Sequence, residues 1–138
     1  MTTDLEGLLA RARDAQQQAY VPYSGFRVGA ALECEDGTVV EGCNVENAAY
    51  PATICAERTA VAAAVAAGHR RFRAIAVIGS GEGPTTPCGM CRQVLFEFAP
   101  DLVVHAAGAD GGTATYVLGR DLLPDGFGPR RLDAGQGH

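Results

Sequence analysis

Hydrophobic and polar positions in the first third of the chain predict a helix followed by a β-hairpin. From Asp4 to about Tyr20, apolar residues recur at helical spacing between Arg and Gln residues. These apolar positions are Leu5, Leu8, Leu9 and Ala12. Residues 26–34 and 38–43 are apolar-rich runs, and the Asp36-Gly37 pair between them is typical of a tight hairpin turn.

The rest of the chain interleaves helical and strand patterns. An Ala-rich stretch from Thr53 to Ala67 predicts a second helix, and Gly68 follows it in the position where glycine commonly ends a helix. The remaining predicted elements are a strand over 73–80, a helix over 88–98, and strands over 102–107 and 113–118. Interleaved strands and helices indicate an α/β domain with helices against both faces of a mixed sheet, but they do not give the strand order.

Length and composition indicate one soluble domain. The 138 residues suffice for a single domain over 1–138, in which we expect 1–3 and 130–138 to be flexible tails. No apolar run approaches the roughly 20 residues of a membrane-spanning helix. Residues 1–13 contain acidic Asp4 and Glu6 and lack the apolar stretch of a secretory signal, so we expect a cytoplasmic protein.

The distribution of charge argues against a nucleic-acid or membrane partner. The net charge is −5, whereas phosphate binding relies on a concentrated Lys/Arg surface. His69, Arg70, Arg71 and Arg73 do form a local basic cluster. We interpret it as a solvated helix end whose cations complement the helix dipole.

Cysteine usage directs attention to metal binding or catalysis. The chain has five cysteines, an odd number for a disulfide framework, and a cytoplasmic location disfavours disulfides. Three of the five fall at the predicted starts of two helices. Cys55 begins one of these helices, and Cys88 and Cys91 begin the other.

Each cysteine motif is weak evidence alone, but together they predict a zinc site. A lone Cys-x-x-Cys pair is also compatible with a redox site, and a single cysteine is usually a small core residue. At helix N-termini, however, unpaired N–H groups and the dipole favour thiolates, which are good zinc ligands. Cys88 and Cys91 lie on one helical turn and Cys55 supplies a third sulfur.

Three protein ligands indicate a catalytic metal rather than a structural one. Structural zinc normally has four protein ligands, whereas catalytic zinc keeps a position for water and lowers its pKa. Glu57, two residues after Cys55, is placed to take a proton from that water. Three thiolates leave the site negative, and Arg58 is placed to withdraw charge from the sulfurs.

Several motifs together resemble the zinc-dependent nucleobase and nucleoside deaminases. The family signature is H-x-E followed by P-C-x-x-C, with an all-cysteine variant. The matching segments are Val21-Pro22-Tyr23-Ser24-Gly25-Phe26, Gly42-Cys43-Asn44-Val45-Glu46-Asn47, Cys55-Ala56-Glu57-Arg58, Pro87-Cys88-Gly89-Met90-Cys91-Arg92-Gln93 and Leu122-Leu123-Pro124-Asp125-Gly126-Phe127. They span nearly the whole chain and resemble the short, homotetrameric cytidine deaminases, with Cys55 in place of the signature histidine.

The resemblance implies a fold, a cofactor and a role for each matching residue. The fold would be a three-layer α/β/α sandwich with a five-stranded mixed sheet, and each subunit would hold one Zn²⁺ ion. The implied zinc ligands are Cys55, Cys88 and Cys91, with Arg58 hydrogen-bonded to their sulfurs. Glu57 would shuttle protons from the metal-bound water to ring N3 and then to departing ammonia.

The implied substrate is free cytidine or 2′-deoxycytidine, in pyrimidine salvage. Asn44 and Glu46 would bind the ribose 3′-hydroxyl, and Phe26 would pack on the pyrimidine. Ala56 is also assigned to the substrate site. Phe127 would reach the base in the site of a neighbouring subunit of the homotetramer.

Four alternatives remain open from the sequence. A blasticidin-type deaminase shares the metal motif but should lack the paired Asn44 and Glu46 contacts. A polynucleotide editor is disfavoured by the acidic charge. A structural zinc module requires a fourth ligand, and a redox Cys-x-x-Cys protein would be metal-free. We expect Cys34 and Cys43 to be reduced core cysteines, and no role is assigned to His69, His105 or His138.

Overall fold

The computed structural model describes residues 3–136 and gives an α/β domain. Short helical turns also occur at Tyr50–Ala52 and Leu118–Leu122. The helices are α1 (Leu5–Gln16), α2 (Ala56–Ala66), α3 (Gly89–Phe98) and α4 (Pro129–Gln136), and the strands are β1 (Val28–Cys34), β2 (Val39–Cys43), β3 (Phe72–Gly79), β4 (Val103–Ala107) and β5 (Thr113–Val117). No helix in this described range is both long enough and apolar enough to cross a membrane.

The five strands form one mixed sheet in the order β2-β1-β3-β4-β5. The pairs β2–β1, β1–β3 and β4–β5 are antiparallel, and the central pair β3–β4 is parallel. Helix α3 lies in the connection between the two parallel strands, as a parallel pair requires a crossover. The predicted hairpin and the predicted mixed sheet are both confirmed.

Two apolar clusters, one on each face of the sheet, account for the three layers. Successive side chains of β1 point to opposite faces of the sheet. Ala30 and Leu32 belong to the cluster on the face covered by α2 and α3, and Ala31 belongs to the cluster on the face covered by α1. Leu8, Leu9 and Ala12 of α1 complete the second cluster. The expected arrangement of helices against both faces is therefore confirmed.

Helix α2 rests directly on the backbone of β2. A Cβ on Gly42 would stand 2.5 Å from the Ala56 carbonyl oxygen and 2.6 Å from the Ala60 nitrogen, so only glycine fits there without a shift. The Thr59 hydroxyl also donates to the Cys43 carbonyl at 2.9 Å. These contacts fix the start of α2, the segment that carries Cys55 and Glu57, against the sheet edge.

Two helix boundaries differ from the sequence prediction because tertiary pairing competes with the helix. The first helix ends at Gln16 rather than near Tyr20, since the Tyr20 N–H donates to the Asn44 carbonyl at 3.0 Å. The second begins after Cys55 rather than at Thr53, since Ile54 pairs with Val45 in an antiparallel bridge. Periodicity alone does not reveal either contact.

Most of the expected C-terminal tail lies in a helix, and the two cysteines outside the predicted zinc site differ in burial. Residues 1–2 and 137–138 of the expected tails lie outside the described residues, while most of 130–138 belongs to α4. Whether that helix is flexible stays a prediction. All five cysteines are free, and Cys34 is buried as expected. The expectation of a core position is wrong for Cys43, which is only partly buried because β2 is an edge strand.

A three-cysteine candidate metal centre and its cavity

Three cysteine sulfurs meet where the N-termini of α2 and α3 converge. Cys55 and Cys88 are the N-cap residues of the two helices, both with extended backbone, and Cys91 lies in the first turn of α3. The Cys55 and Cys88 sulfurs are 3.8 Å apart, and the Cys88 and Cys91 sulfurs are 3.5 Å apart. All three sulfurs lie within 4.8 Å of one another.

These separations fit a tetrahedral zinc ion. Two thiolates at the usual Zn–S distance of about 2.3 Å, seen at the tetrahedral angle, are roughly 3.8 Å apart. Neither N-cap sulfur accepts a capping hydrogen bond from the backbone of its helix, so both sulfurs are available to a ligand. A set of three sulfurs at helix N-termini suits Zn²⁺ in particular, because soft thiolates select it over Mg²⁺ or Ca²⁺.

Without a metal ion, negative charge concentrates on one sulfur of the cluster. Hydrogen bonding from Cys91, aided by Arg58, lowers the pKa of the Cys55 thiol to about 5. The same contact with Cys55, together with burial, raises the pKa of Cys91. A divalent cation would stabilise all three sulfurs as thiolates.

Glu57 is the buried acid beside the sulfur cluster. It is 4% exposed, among the few buried charged residues of the described chain. Burial, followed by the negative Cys55 sulfur, raises the pKa of Glu57 to about 7. A carboxyl group with this pKa exchanges protons readily near neutral pH.

Arg58 lies behind the sulfur of Cys55. Its Nη2 is 3.7 Å from Cys55 Sγ and 3.4 Å from the Thr53 carbonyl oxygen. The contact with Cys55 raises the pKa of Arg58, so the guanidinium is always charged. Its Nε is buried without an acceptor among the described residues. The cation thus lies against the Cys55 sulfur from a partly buried position.

A cavity of about 190 Å³ opens onto the cluster. Asn44, Cys55, Ala56, Glu57 and Cys88 of the predicted site line it together. Cys91, which is fully buried, lies beneath it in the first turn of α3. The other lining residues are Val28, Thr53, Ile54, Thr85 and Thr86.

Glu46 lines a second cavity, which adjoins the first through Thr53. One carboxylate oxygen of Glu46 accepts from the Tyr23 N–H at 3.0 Å and the Ser24 N–H at 3.1 Å, and the other accepts from the Ser24 hydroxyl. Hydrogen bonding from Ser24 lowers the pKa of Glu46, which is therefore ionised at neutral pH. The loop before β1 thus holds this carboxylate in a fixed orientation.

Asn44 forms two hydrogen bonds to the segment that leads into β1. Its Oδ1 accepts from the Val28 N–H at 2.9 Å, and its Nδ2 donates to the Phe26 carbonyl at 2.9 Å. Each polar atom retains capacity for one further hydrogen bond. The same side chain therefore fixes the wall of the cavity and presents polar groups to it.

The two aromatic residues assigned to the base do not line the cavity in a single chain. The Phe26 ring packs near Gly79 and Gly81 and remains 39% exposed. Phe127 is 58% exposed on the segment before α4. The Gln93 side chain donates to the Phe127 carbonyl at 2.8 Å, which ties that segment to α3.

Comparisons with known proteins decide the family. The family model for the cytidine and deoxycytidylate deaminase zinc-binding region matches residues 2–107. A cytidine deaminase of Sporosarcina psychrophila is 48% identical over 130 residues, which cover 94% of this chain and 95% of that protein. The chain belongs to the cytidine deaminase family.

Crystal structures of cytidine deaminases share the fold. The enzyme of Burkholderia pseudomallei superposes with a TM-score of 0.86 at 50% identity, covering 92% of this chain and 100% of that one. The Mycobacterium tuberculosis enzyme superposes with a TM-score of 0.81 at 43% identity, covering 92% and 99%. As a cytidine deaminase family member, the chain has Zn²⁺ as its cofactor, and the cysteine cluster has the geometry to hold it.

Part of the cavity wall was not predicted from the sequence. Thr85 and Thr86 directly precede Pro87 and Cys88, so their position before a metal-binding helix was an available signal. Val28 and Ile54 gave no such signal. They reach the cavity only because β1 and the Val45–Ile54 bridge lie beside the start of α2.

Proposed function

We propose that this protein hydrolyses the 4-amino group of free cytidine and 2′-deoxycytidine, giving uridine and 2′-deoxyuridine. The observation that carries the proposal is the buried Glu57 carboxyl in the same cavity as the sulfurs of Cys55 and Cys88. Burying an acid at that place is unfavourable for folding. The acid has a chemical use beside a metal that activates water.

In this proposal Cys55, Cys88 and Cys91 hold one zinc ion per chain. Bound zinc supplies a Lewis acid that lowers the pKa of water and makes it a nucleophile near neutral pH. Glu57 accepts a proton from the attacking water and delivers it to ring N3 as C4 is attacked. It then takes the proton of the new C4 hydroxyl and gives it to the amino group, which leaves as ammonia while the C4 carbonyl forms. Burial keeps this carboxyl close to the pKa that serves both transfers.

The sugar contacts favour a nucleoside over a bare base. Asn44 lines the metal cavity and Glu46 lines the adjoining one, so the two side chains can bind a ribose 3′-hydroxyl from a substrate whose base faces Glu57. The spare Asn44 donor and the ionised Glu46 match a hydroxyl group, which both donates and accepts. Ala56 lines the same cavity as Asn44, and Phe26 is assigned to the pyrimidine face.

We further propose a homotetramer with shared sites, acting in cytoplasmic pyrimidine salvage. Phe127 is exposed and does not line the cavity of its own chain, so a role at the base requires a neighbouring subunit. Reduced cysteines at the metal site require a reducing compartment. All five cysteines of the chain are free, in agreement with that location.

The test is release of ammonia from cytidine, with the accompanying ultraviolet change, by the purified protein. We expect turnover with cytidine and deoxycytidine, none with cytosine, blasticidin or single-stranded DNA, and loss of turnover after chelation. Glu57→Gln should retain zinc and lose roughly 10²–10⁴-fold in kcat. The matched control is Glu97→Gln, at an exposed position of α3, which should leave kcat unchanged.

Other results would contradict the proposal in distinguishable ways. A wild-type kcat for the Glu57→Gln variant would contradict the assignment of Glu57 as the proton shuttle. Turnover of blasticidin but not cytidine would place the protein with another zinc deaminase. Zinc content without turnover of any of these compounds would leave a non-catalytic zinc domain.

A further inference from the structure

A second group of metal-ligating side chains lies at the opposite end of α2 from the catalytic cluster. It consists of Cys34, the last residue of β1, Asp36 in the β1–β2 turn, and His69 just beyond α2. One ligand atom from each of the three lies within 4.8 Å of the other two. They combine a thiol, a carboxylate and an imidazole, a donor set that suits zinc and its neighbours in the first transition row.

Backbone structure fixes all three residues. The Cys34 N–H donates to the Thr38 carbonyl at 2.7 Å, which closes the hairpin. Asp36 Oδ1 accepts from the Thr38 N–H at 2.9 Å, and Asp36 Oδ2 is the oxygen nearer to His69. The three ligand positions are therefore preorganised by the turn and by the helix end.

His69 is held by the termination of α2. Its N–H donates to the Ala64 carbonyl at 2.9 Å, and the Gly68 N–H donates to the Val65 carbonyl at 3.0 Å, with Gly68 at φ +100°. This pair of bonds is the Schellman motif, which requires a residue in the left-handed region. The histidine ring is consequently brought over the hairpin turn.

The imidazole and the carboxylate lie close enough for an ion to bind between them. His69 Nδ1 is 3.8 Å from Asp36 Oδ2, too long for a hydrogen bond. Two N and O ligands about 2.0–2.1 Å from one tetrahedral ion lie roughly 3.3 Å apart, so a small side-chain rotation closes the site. The side chains of His69 and Asp36 are 23% and 60% exposed, so these two ligands are open to solvent, whereas Cys34 is 1% exposed.

The surrounding charges permit a cation despite two nearby arginines. The C-terminal carbonyls of α2 point toward this region, and a helix C-terminus favours positive charge. Arg70 is bound to the Val65 and His69 carbonyls, and Arg73 Nε lies 3.8 Å from the Glu33 carboxylate. The charge of Arg73 is therefore balanced by Glu33, and Asp36 retains its own negative charge.

We propose that Cys34, Asp36 and His69 form a second site for a divalent transition metal such as Zn²⁺, distinct from the catalytic cluster. The ion is bound by Cys34 Sγ as the thiolate, Asp36 Oδ2 and His69 Nδ1, and water completes the coordination. Binding displaces the Cys34 proton to solvent. The site joins the β1–β2 hairpin to the end of α2 and stabilises the folded chain by mass action.

The experiment titrates the zinc-loaded protein with Co²⁺. Zinc and cobalt per chain are measured after desalting, together with the ultraviolet thiolate-to-cobalt charge-transfer band. We expect one further equivalent of cobalt with the band and no loss of zinc. Cys34→Ala and His69→Ala should weaken cobalt binding at least tenfold while leaving cytidine turnover unchanged, which shows that both variants fold.

A control at the other hairpin separates ligation from turn structure. Asp110, in the β4–β5 turn, accepts a hydrogen bond from the Gly112 N–H two residues later, as Asp36 does from the Thr38 N–H in the β1–β2 turn. Asp110 also accepts from the Gly83 N–H, which lies before α3. Asp36→Asn should weaken cobalt binding, whereas Asp110→Asn should not. Equal cobalt binding by wild type and His69→Ala overturns the proposal. Loss of one zinc for each cobalt bound also overturns the proposal, because the charge-transfer band would then arise from cobalt in the catalytic cluster.

Discussion

The guanidinium of Arg92 donates from Nη1 to the Leu122 carbonyl at 3.0 Å and so joins the start of α3 to the segment that leads to Phe127. The same side chain donates from Nε to the Pro87 carbonyl at 2.7 Å and from Nη2 to the Thr86 hydroxyl at 3.4 Å. Arg92 therefore connects Thr86, which lines the cavity at the cysteine cluster, to the segment that carries Phe127. Phe127 is the residue proposed to act in the site of a neighbouring subunit.

We expect Arg92→Lys to raise KM for cytidine about tenfold with a smaller change in kcat and no loss of zinc. Lysine keeps the charge but cannot make three directed bonds from one planar group. Steady-state kinetics and metal analysis check this prediction. Arg120→Lys, at an exposed ion pair with Asp121, is the control. A variant with wild-type KM would show that these contacts do not position the site.

Arg58→Gln should lower kcat by roughly 10–100-fold while most of the zinc remains bound. The glutamine keeps a polar amide but removes the positive charge that lies against Cys55 Sγ and offsets three thiolates. Rates and zinc content measured on the same preparation check the result. Arg13→Gln, on the exposed side of α1, controls for loss of a surface charge. Unchanged kcat would mean that the sulfurs need no compensating cation.

Gly42→Ala should reduce zinc affinity although Gly42 does not contact the metal cluster. The new methyl group would meet the Ala56 carbonyl at 2.5 Å and displace the start of α2, at a cost of about 1–3 kcal/mol. Ala62→Gly, at an exposed position of the same helix, costs about 1 kcal/mol by propensity alone. Thermal unfolding should show both variants destabilised, and competition with a chelator should show weaker zinc binding only for Gly42→Ala.

Mixing two inactive variants tests whether Phe127 acts in a neighbouring subunit. Glu57→Gln lacks the shuttle, and Phe127→Ala should lose much of the affinity for substrate. If Phe127 acts between subunits, co-refolded mixtures regain part of the activity, because some sites combine an intact Glu57 with an intact Phe127 from another chain. Mixtures with no more activity than the separate variants would contradict the proposed role of Phe127 in a neighbouring subunit.

Much of the molecule followed from local pattern. The hairpin and helices α1, α2 and α3 were predictable because periodicity and turn chemistry are local properties of the chain. The pairing of Cys55-Ala56-Glu57 with Cys88 and Cys91 was predictable from motif spacing. The placement of those cysteines at helix starts is confirmed by the extended N-cap backbones of Cys55 and Cys88.

Other features depend on residues that are distant in sequence. The late start of α2 depends on the Val45–Ile54 bridge, and the cavity wall depends on Thr85 and Val28 meeting across different elements. The proximity of Cys34 to His69 depends on how the hairpin and the end of α2 pack together. None of these contacts has a local signature.

The sequence by itself determined which residues are candidates for the chemistry, because zinc chemistry needs cysteines and an acid at fixed spacing from helix starts. Only the tertiary structure decided which of these residues share one cavity and which face away from it, as Phe127 does. The physical reason is that side-chain identity and helix phase are set by near neighbours, whereas strand order and close helix–sheet approach are set by packing of the whole core.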